Sequence, residues 1–294
     1  MRISSSTILL GAALGVSAHP SRHAAHQAAH KRDFVVANKP TTTIIEYVTA
    51  AAVAAESSTT AAAVAATSAA SSDDDDDDDS SEYVEFCGGS TSKRATLAEI
   101  AYKGNTGTDD DYGCNMMVVS SSIADQYEYT ATFKNDVAKS QACVCFNKIG
   151  PDGGINGFFS GNEAISFTLP ASGTKVVAFE ANSQGGCVCT VGDTVATTDI
   201  GQFAGTWLEF DMANSSNDDW SGADASCLVS SIYPKLEAII PPLKVCGSGT
   251  CSTILSGGDG TNAYLKGMEA ADGVGLNLAA GKVRLTITVG EFSA

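Results

Sequence analysis

Residues 164–193 read AISFTLPASGTKVVAFEANSQGGCVCTVGD. Two short runs in this stretch, AISFTL and TKVVAF, are rich in β-branched and aromatic residues, and PASG and SQGG follow them as turn sequences. Turn residues between short apolar runs are typical of β-strands joined by tight turns. The run CVC then places two cysteines on one side of a strand, because alternate side chains of a strand point the same way.

Further runs of the same kind flank this stretch. They are YEYTATF (127–133), TWLEFDM (206–212) and KVRLTITV (282–289), and Gly-rich turns such as GPDGG separate them. Many short strands with such turns predict an all-β domain, a sandwich or a barrel, with short helices at 95–101 and 262–271.

The first residues have the form of a secretory signal peptide, residues 1–18. Arg2 precedes an apolar run from Ile8 to Val16, and small residues end at Ala18, where we expect cleavage. No later segment reaches the ~20 apolar residues that a transmembrane helix needs. We therefore expect a secreted, extracellular protein with no membrane anchor.

Residues 19–94 are of low complexity. Alanine, serine and threonine dominate them, the run Asp73–Asp79 is uninterrupted, and dibasic pairs that a kexin-type protease cuts stand at 31–32 and 93–94. Like charges in a block repel, and such a composition cannot form a core. The pattern predicts a disordered pro-region over 19–94 and a folded domain over 95–294.

Charge and histidine content exclude several functions. The net charge of the chain is −17, and residues 95–294 keep ten Lys or Arg against 22 Asp or Glu. Such a surface repels nucleic acid. All four histidines precede Lys31, so the domain has no Ser-His-Asp or Cys-His catalytic group and no His-ligated metal. We predict no metal and no cofactor.

Nine cysteines are an odd number for a secreted chain. Cleavage after Arg94 would remove Cys87 and leave eight, which are Cys114, Cys143, Cys145, Cys187, Cys189, Cys227, Cys246 and Cys251. We expect these eight to form disulfides, because the secretory route is oxidising. A metal site or a redox role for the two CVC runs is the alternative.

Neighbouring antiparallel strands would bring the cysteines of the two CVC runs opposite each other, with Cβ atoms ~4.5–5.5 Å apart. Bridges between sheets are the alternative, since sequence alone does not fix connectivity. Cys246 and Cys251 enclose a short loop, which a disulfide between them would close. The pairings that follow are Cys143–Cys189, Cys145–Cys187, Cys246–Cys251 and, as the remaining pair, Cys114–Cys227.

Several segments occur in the order seen in a known family. Together ATLAEIAYKGNTG, FNKIGPDGGINGFFSG, ISFTLPASGTKVVAFEANSQGG, GTWLEFDMANSSNDDWSGAD and KVCGSGTCSTI resemble the secreted fungal allergen family typified by the Aspergillus allergen Asp f IV. The resemblance covers most of 95–294. It implies a secreted fungal protein that IgE can bind, with no established catalytic activity. The CVC runs depart from the family pattern, which has aromatic or aliphatic residues at those positions.

A second resemblance, at the level of the fold, is to thaumatin-like proteins. It is carried by LPASGTKVVAFEANSQGG, TWLEF and Asp224-Ala225-Ser226. It implies a thaumatin-like-type β-sandwich with disulfides. Those proteins line a cleft with acidic residues that can face glucans. Glu209 and Asp224 match that pattern, whereas Ser230 stands where another aspartate is expected.

The candidate ligand-binding residues lie in one region of the sequence. Glu209 and Asp211 alternate on a strand and share a face, and Asp224 follows soon after. Trp207 and Trp220 offer aromatic platforms for a sugar. Two carboxyl groups about 5–9.5 Å apart are what a glycosidase needs.

Asn214-Ser215-Ser216 is the only N-x-S/T sequon of the chain. It predicts glycosylation of Asn214 on a surface loop.

Three functions are consistent with these patterns. The leading expectation is a monomeric, non-enzymatic, extracellular or cell-wall-associated protein of the allergen family that engages wall polysaccharide or host molecules. The alternative is a glucan-acting hydrolase of thaumatin-like type with Glu209 as its acid. The third is a secreted antigen with no specific ligand.

Overall fold

The computed structural model describes residues 82–89, 104–233 and 240–290. The predicted signal peptide, both dibasic pairs, the aspartate run and the helix predicted at 95–101 lie outside the described residues. Within the described part of the chain, no helix is long and apolar enough to cross a membrane.

Strands make up most of the regular structure. In chain order they are β1 (Met116–Val119), β2 (Tyr129–Asn135), β3 (Gln141–Asn147), β4 (Ile165–Leu169), β5 (Thr174–Phe179), β6 (Gln184–Val191), β7 (Trp207–Asn214), β8 (Trp220–Ser226), β9 (Leu243–Gly247), β10 (Thr250–Ile254), β11 (Gly260–Thr261), β12 (Leu276–Leu278) and β13 (Val283–Val289).

These strands form two sheets. Sheet I has the order β1-β5-β2-β13-β9-β10-β11, and sheet II has the order β12-β8-β7-β6-β3-β4. Neighbouring strands are antiparallel, except that β2 and β13 run parallel. Apolar side chains of both sheets share one core. The predicted all-β sandwich is therefore confirmed.

Side-chain alternation fixes which face of each strand enters that core. In β13, every second residue from Val283 to Val289 is buried between the sheets, and the residues between them are half-buried. Phe179 of sheet I meets Phe210 of sheet II with ring centroids 4.5 Å apart. Full burial of each such side chain contributes about 2–3 kcal/mol to stability.

A second apolar cluster covers part of the outer face of sheet II. Trp207 of β7 and Phe146 of β3 lie with ring centroids 4.9 Å apart. Phe158 and Phe203, from two long loops, pack onto them. This part of sheet II is therefore buried on both faces.

The two CVC runs lie in the adjacent antiparallel strands β3 and β6, where their cysteines stand directly opposite each other. The side chains point into the core between the sheets. They are joined by the disulfides Cys143–Cys189 and Cys145–Cys187.

The other cysteines correct one prediction. Cys246 and Cys251, opposed in β9 and β10, are disulfide-bonded as expected. The predicted pair Cys114–Cys227 is wrong, because Cys114 is bonded to Cys87, with Cα atoms 4.8 Å apart. Cys227 is a buried free thiol. The error arose from treating Cys87 as part of a removed segment.

The segment 82–89 packs on the outer face of sheet I around Tyr127. The Tyr83 ring lies 4.9 Å from the Tyr127 ring. The Tyr127 hydroxyl donates to the Val84 carbonyl at 2.9 Å and accepts from the Val84 amide at 3.1 Å. Phe86 packs against the apolar cluster to which Tyr127 belongs. These contacts hold Cys87 beside Cys114.

Helical segments in the described residues are short. They are the 3₁₀ segment Ala124–Gln126 and the α-helix α1, Leu228–Ser231, whereas the turn Phe86–Gly89 has a left-handed backbone at Cys87 and Gly88. The helix predicted at 262–271 is wrong. Asn262 and Gly267 have φ of +52° and +84°, a left-handed backbone that a right-handed helix cannot contain.

Candidate functional site

The structure brings together two of the carboxyl groups that the sequence pattern singled out. Glu209 of β7 stands directly opposite Asp224 of β8. Their side chains lie on the outer face of sheet II, because Leu208 and Phe210 enter the core between the sheets. Directly opposed residues have Cβ atoms about 4.5–5.5 Å apart. Both residues are 0% exposed.

The segment that follows β11 lies beside this carboxyl pair. Tyr264 extends sheet II through a parallel bridge to Ser226 and is itself buried. Gly275 has φ of +102°, and a Cβ there would stand only 2.6 Å from the Cβ of Asp224. Glycine is therefore needed at position 275 for the backbone to approach Asp224 this closely.

Burial raises the pKa of both carboxyl groups of the pair. Removal from water raises the pKa of Glu209 to about 8. Burial, followed by repulsion from Glu209, raises the pKa of Asp224. No oxygen of either group has a hydrogen-bond partner among the described residues. The Ser226 side chain lowers the pKa of Glu209, but by less than burial raises it. The two groups therefore titrate as a pair.

Asp211 shares the face of Glu209 but has its own partner. Its Oδ2 accepts a hydrogen bond of 2.6 Å from Asn214 Nδ2. Burial raises the pKa of Asp211 to about 7, while the Asn214 hydrogen bond and the charge of Lys148 lower it. Asp211 is thus fixed to the end of its own strand.

The arrangement limits what these groups can do chemically. A glycosidase acid must reach the glycosidic oxygen of its substrate, and Glu209 and Asp224 are 0% exposed. Asp211 is 4% exposed. The predicted contact of Glu209, Asp211 and Asp224 with a surface ligand conflicts with this burial. Within the described residues, no group of three or more His, Cys, Asp or Glu side chains is placed to hold a metal ion.

The two tryptophans have different environments. Trp207 is 1% exposed and belongs to the aromatic cluster on sheet II. This burial conflicts with its predicted role as a sugar platform. Trp220, at the start of β8, is half-buried and adjoins the exposed residues Asp218 and Asp219. Of the predicted ligand-binding residues, Trp220 is the most accessible.

The sequon lies at the end of β7, where the pairing with β8 shifts register between Asp211 and Asn214. Asn214 Oδ1 accepts hydrogen bonds from the Ser216 amide at 2.9 Å and the Ser216 hydroxyl at 2.6 Å. Asn214 is half-buried in this turn. Glycosylation of Asn214 stays a prediction.

Ser230 has a structural role in α1. Its hydroxyl accepts a hydrogen bond of 2.7 Å from the Gly205 amide and donates one of 2.9 Å to the Gly205 carbonyl. Ser230 is 0% exposed. It therefore ties α1 to the loop before β7 and does not extend an acidic surface.

Fold and site together define an all-β sandwich crosslinked by disulfides, whose paired carboxyl groups are sealed from solvent. Residues 114–289, more than half of the chain, match the family of the Allergen Asp f 4-like domain. The chain belongs to this family.

A curated relative and two solved structures were compared with the chain. Allergen Asp f 4 of Aspergillus fumigatus is 34% identical over 193 residues, which are 65% of this chain and 58% of that protein. The chain therefore spans 58% of the length of this relative. The protein elicitor MoHrip2 from Magnaporthe oryzae is 14% identical and covers 55% of this chain and 99% of its own, with a TM-score of 0.34. The thaumatin-like xylanase inhibitor TLXI is 9% identical and covers 54% of this chain and 97% of its own, with a TM-score of 0.31.

Sequence reasoning missed the residues that lie beside the carboxyl pair. Tyr264 carries no local signal for this position, because a bridge to a distant strand places it there. Gly275 stands in a Gly-rich stretch that reads only as a turn. The odd number of cysteines was the available signal for a partner of Cys87.

Proposed function

We propose that this member of the Asp f 4-like family is a secreted, non-enzymatic protein that acts outside the cell, in association with the cell wall, and binds polysaccharide without cleaving it. Four disulfides among the described residues support an extracellular location, since such bonds persist in oxidising compartments. The relative's name as an allergen supports recognition by IgE, which is a response of the host.

The complete burial of Glu209 and Asp224 carries the non-enzymatic part of this proposal. The alternative hydrolase needs one carboxyl group to protonate a leaving oxygen and another to act on the sugar ring or on water. A pair with no exposed surface is not placed to contact such a substrate. Binding of a polymer elsewhere on the domain does not require these groups.

Release of reducing sugar tests whether the protein is an enzyme. The purified secreted protein is incubated with β-glucan, chitin and mannan, beside a Glu209→Gln variant and a commercial glucanase as positive control. We expect no release by either form of the protein. Release by the wild type that Glu209→Gln abolishes would refute the proposal and restore the hydrolase.

Retention on insoluble polysaccharide tests binding. The wild type should be retained on at least one of the three polymers. Trp220→Ala should lower the affinity by about tenfold, because a half-exposed tryptophan offers a large, rigid contact surface. Ile200→Ala is the matched control, since Ile200 is an apolar side chain with 51% exposure in another loop. No retention on any of these three polymers would refute binding of neutral wall polysaccharide.

IgE recognition and secretion have direct tests. Serum IgE from sensitised donors should bind the folded protein in an immunoassay, and serum from non-sensitised donors should not. Mass spectrometry of culture medium should find the protein there without residues 1–18. An intracellular protein that retains these residues would contradict the extracellular assignment.

A further inference from the structure

Acidic and basic residues of the strands are segregated between the two sheets. The strands of sheet II carry the acidic residues Glu209, Asp211 and Asp224 and no Lys or Arg. The strands of sheet I carry no Asp or Glu, and their charged residues are Lys134, Lys175, Lys244 and Arg284. Sheet I is thus a cationic element in a strongly acidic chain.

One cross-strand row of side chains continues across six strands of sheet I. The row faces outward, because sequence neighbours of its members, such as Phe133, Leu243 and Ile287, lie in the core between the sheets. We call it the Thr/Lys row, and from β11 to β5 it consists of Thr261, Thr253, Lys244, Thr288, Lys134 and Thr174.

The Thr/Lys row is open to solvent. Its ends, Thr261 and Thr174, are exposed, as is Lys134, and the remaining members are half-buried. Even Thr288, on the central strand β13, keeps partial exposure. Among the described residues, no layer comparable to the aromatic cluster on sheet II covers this row.

The two lysines of the row are available for an external anion. Neither the Lys282–Glu128 nor the Arg284–Asp125 ion pair uses a lysine of the row. Strands of a sheet lie ~4.8 Å apart, so the Cα atoms of Lys134 and Lys244, two strands apart, are about 10 Å from each other. The whole row is about 24 Å long.

Hydroxyl groups surround these two ammonium groups. Thr288 lies between the lysines, and Thr286 and Thr132 stand opposite each other in the next row. A hydroxyl group both donates and accepts hydrogen bonds, as the hydroxyl groups of a sugar do. The surface therefore combines two widely spaced positive charges with threonine hydroxyls that can exchange hydrogen bonds with the hydroxyl groups of a sugar.

We propose that the Thr/Lys row is a binding surface for a linear acidic polysaccharide that carries uronate carboxylates. This inference rests on the proposed polysaccharide binding and names its surface and its ligand class. A linear chain fits because the row is long and one residue wide. Nucleic acid fits poorly, because its charges recur about every 1.7 Å along a duplex, and the strongly acidic remainder of the protein repels so dense a polyanion.

Affinity electrophoresis in gels with polygalacturonate or with the neutral glucan laminarin tests the inference on the full secreted chain. We expect polygalacturonate to retard the wild type and added salt to weaken the effect. Lys134→Gln/Lys244→Gln should weaken binding to polygalacturonate by about tenfold, the combined effect of two exposed charge contacts. Binding to laminarin should be unchanged.

The matched control is Lys139→Gln/Lys282→Gln, which removes the same charge from exposed lysines outside the row. It should keep the affinity of the wild type for polygalacturonate within about twofold, since neither lysine belongs to the row. Thermal unfolding of both double variants shows whether each is folded before its affinity is interpreted.

Three results would overturn the inference. Equal losses of affinity for polygalacturonate in the two double variants would mean that binding depends on the total positive charge and not on the Thr/Lys row. Retardation by laminarin alone would refute an acidic ligand and leave the proposed function intact. No retardation by either polymer, together with no retention on the insoluble polysaccharides, would refute both.

Discussion

Replacing Glu209 by glutamine should stabilise the folded protein at neutral pH. Burial raises the pKa of Glu209 from the ordinary 4.5 to about 8. At pH 7 the folded protein therefore holds this carboxyl group protonated, while the unfolded chain ionises it. Glutamine has nearly the same shape and does not ionise. The variant therefore lacks the free-energy cost of holding a carboxyl group protonated in the folded protein at a pH at which the unfolded chain releases the proton.

The size of the effect follows from proton linkage. Below the unfolded pKa, near 4.5, Glu209 is protonated in both states and the free energy of unfolding is not reduced. As the pH rises from there towards 8, only the unfolded chain loses the proton, so the free energy of unfolding falls. Each pH unit in this window costs about 1.4 kcal/mol. Between pH 4.5 and pH 7 the cost is about 3 kcal/mol. The raised pKa of Asp224 acts in the same direction.

Urea unfolding at a series of pH values, followed by tryptophan fluorescence, measures this effect. Glu209→Gln should be more stable than the wild type by about 3 kcal/mol at pH 7 and nearly equal to it at pH 4.5. Glu128→Gln is the matched control, because the Glu128 side chain is 57% exposed. The control should change stability by less than about 0.5 kcal/mol.

Two results would refute this reasoning. A wild type that gains stability as the pH rises from 5 to 8 would mean that the carboxyl pair is ionised and satisfied in the folded state. A Glu209→Gln variant that unfolds at lower urea than the wild type at pH 7 would mean that the carboxylate itself stabilises the fold.

Three further substitutions test the packing. Phe210→Ala should lower the free energy of unfolding by about 3–5 kcal/mol in urea titrations, because it leaves a cavity between the sheets; a loss below 1 kcal/mol would contradict this. Ser230→Ala should cost about 1–3 kcal/mol, because it leaves both backbone groups of Gly205 without their partner, and Ser230→Thr serves as comparison. Tyr127→Phe should speed hydrogen exchange at residues 82–89 without altering exchange in sheet II, because it removes the hydrogen bonds between the Tyr127 hydroxyl and Val84; unchanged exchange would mean that these bonds do not hold the segment.

Local sequence patterns sufficed for individual strands and for part of the crosslinking. TKVVAF coincides with β5, Thr174–Phe179, because a run of β-branched residues between turns has few other stable conformations. The CVC period aligns the cysteines of each run on one face, so that antiparallel pairing brings them together. The parallel pairing of β2 with β13 was not predictable, since it joins strands from distant parts of the sequence.

The burial of Glu209 could not be predicted from the pattern of its strand. The alternation in TWLEFDM correctly separates Leu208 and Phe210 from Glu209. It suggests that Glu209 faces water, because polar residues on a half-buried strand usually do. Whether a second layer covers the outer face depends on segments elsewhere in the chain, as with the loop residues Phe158 and Phe203 that pack onto Trp207. Burial on that face is therefore a tertiary property that no local period encodes.

The Cys87–Cys114 disulfide changes what processing of the N-terminal region would mean. The predicted protease site at Lys93-Arg94 lies between the two crosslinked cysteines in the sequence. Cleavage there would nick the polypeptide and release nothing, so that the mature protein would be a covalent heterodimer of a light, aspartate-rich chain and a heavy sandwich chain. Only a reductant would then separate the acidic chain from the domain, which couples its release to the redox state of the surroundings.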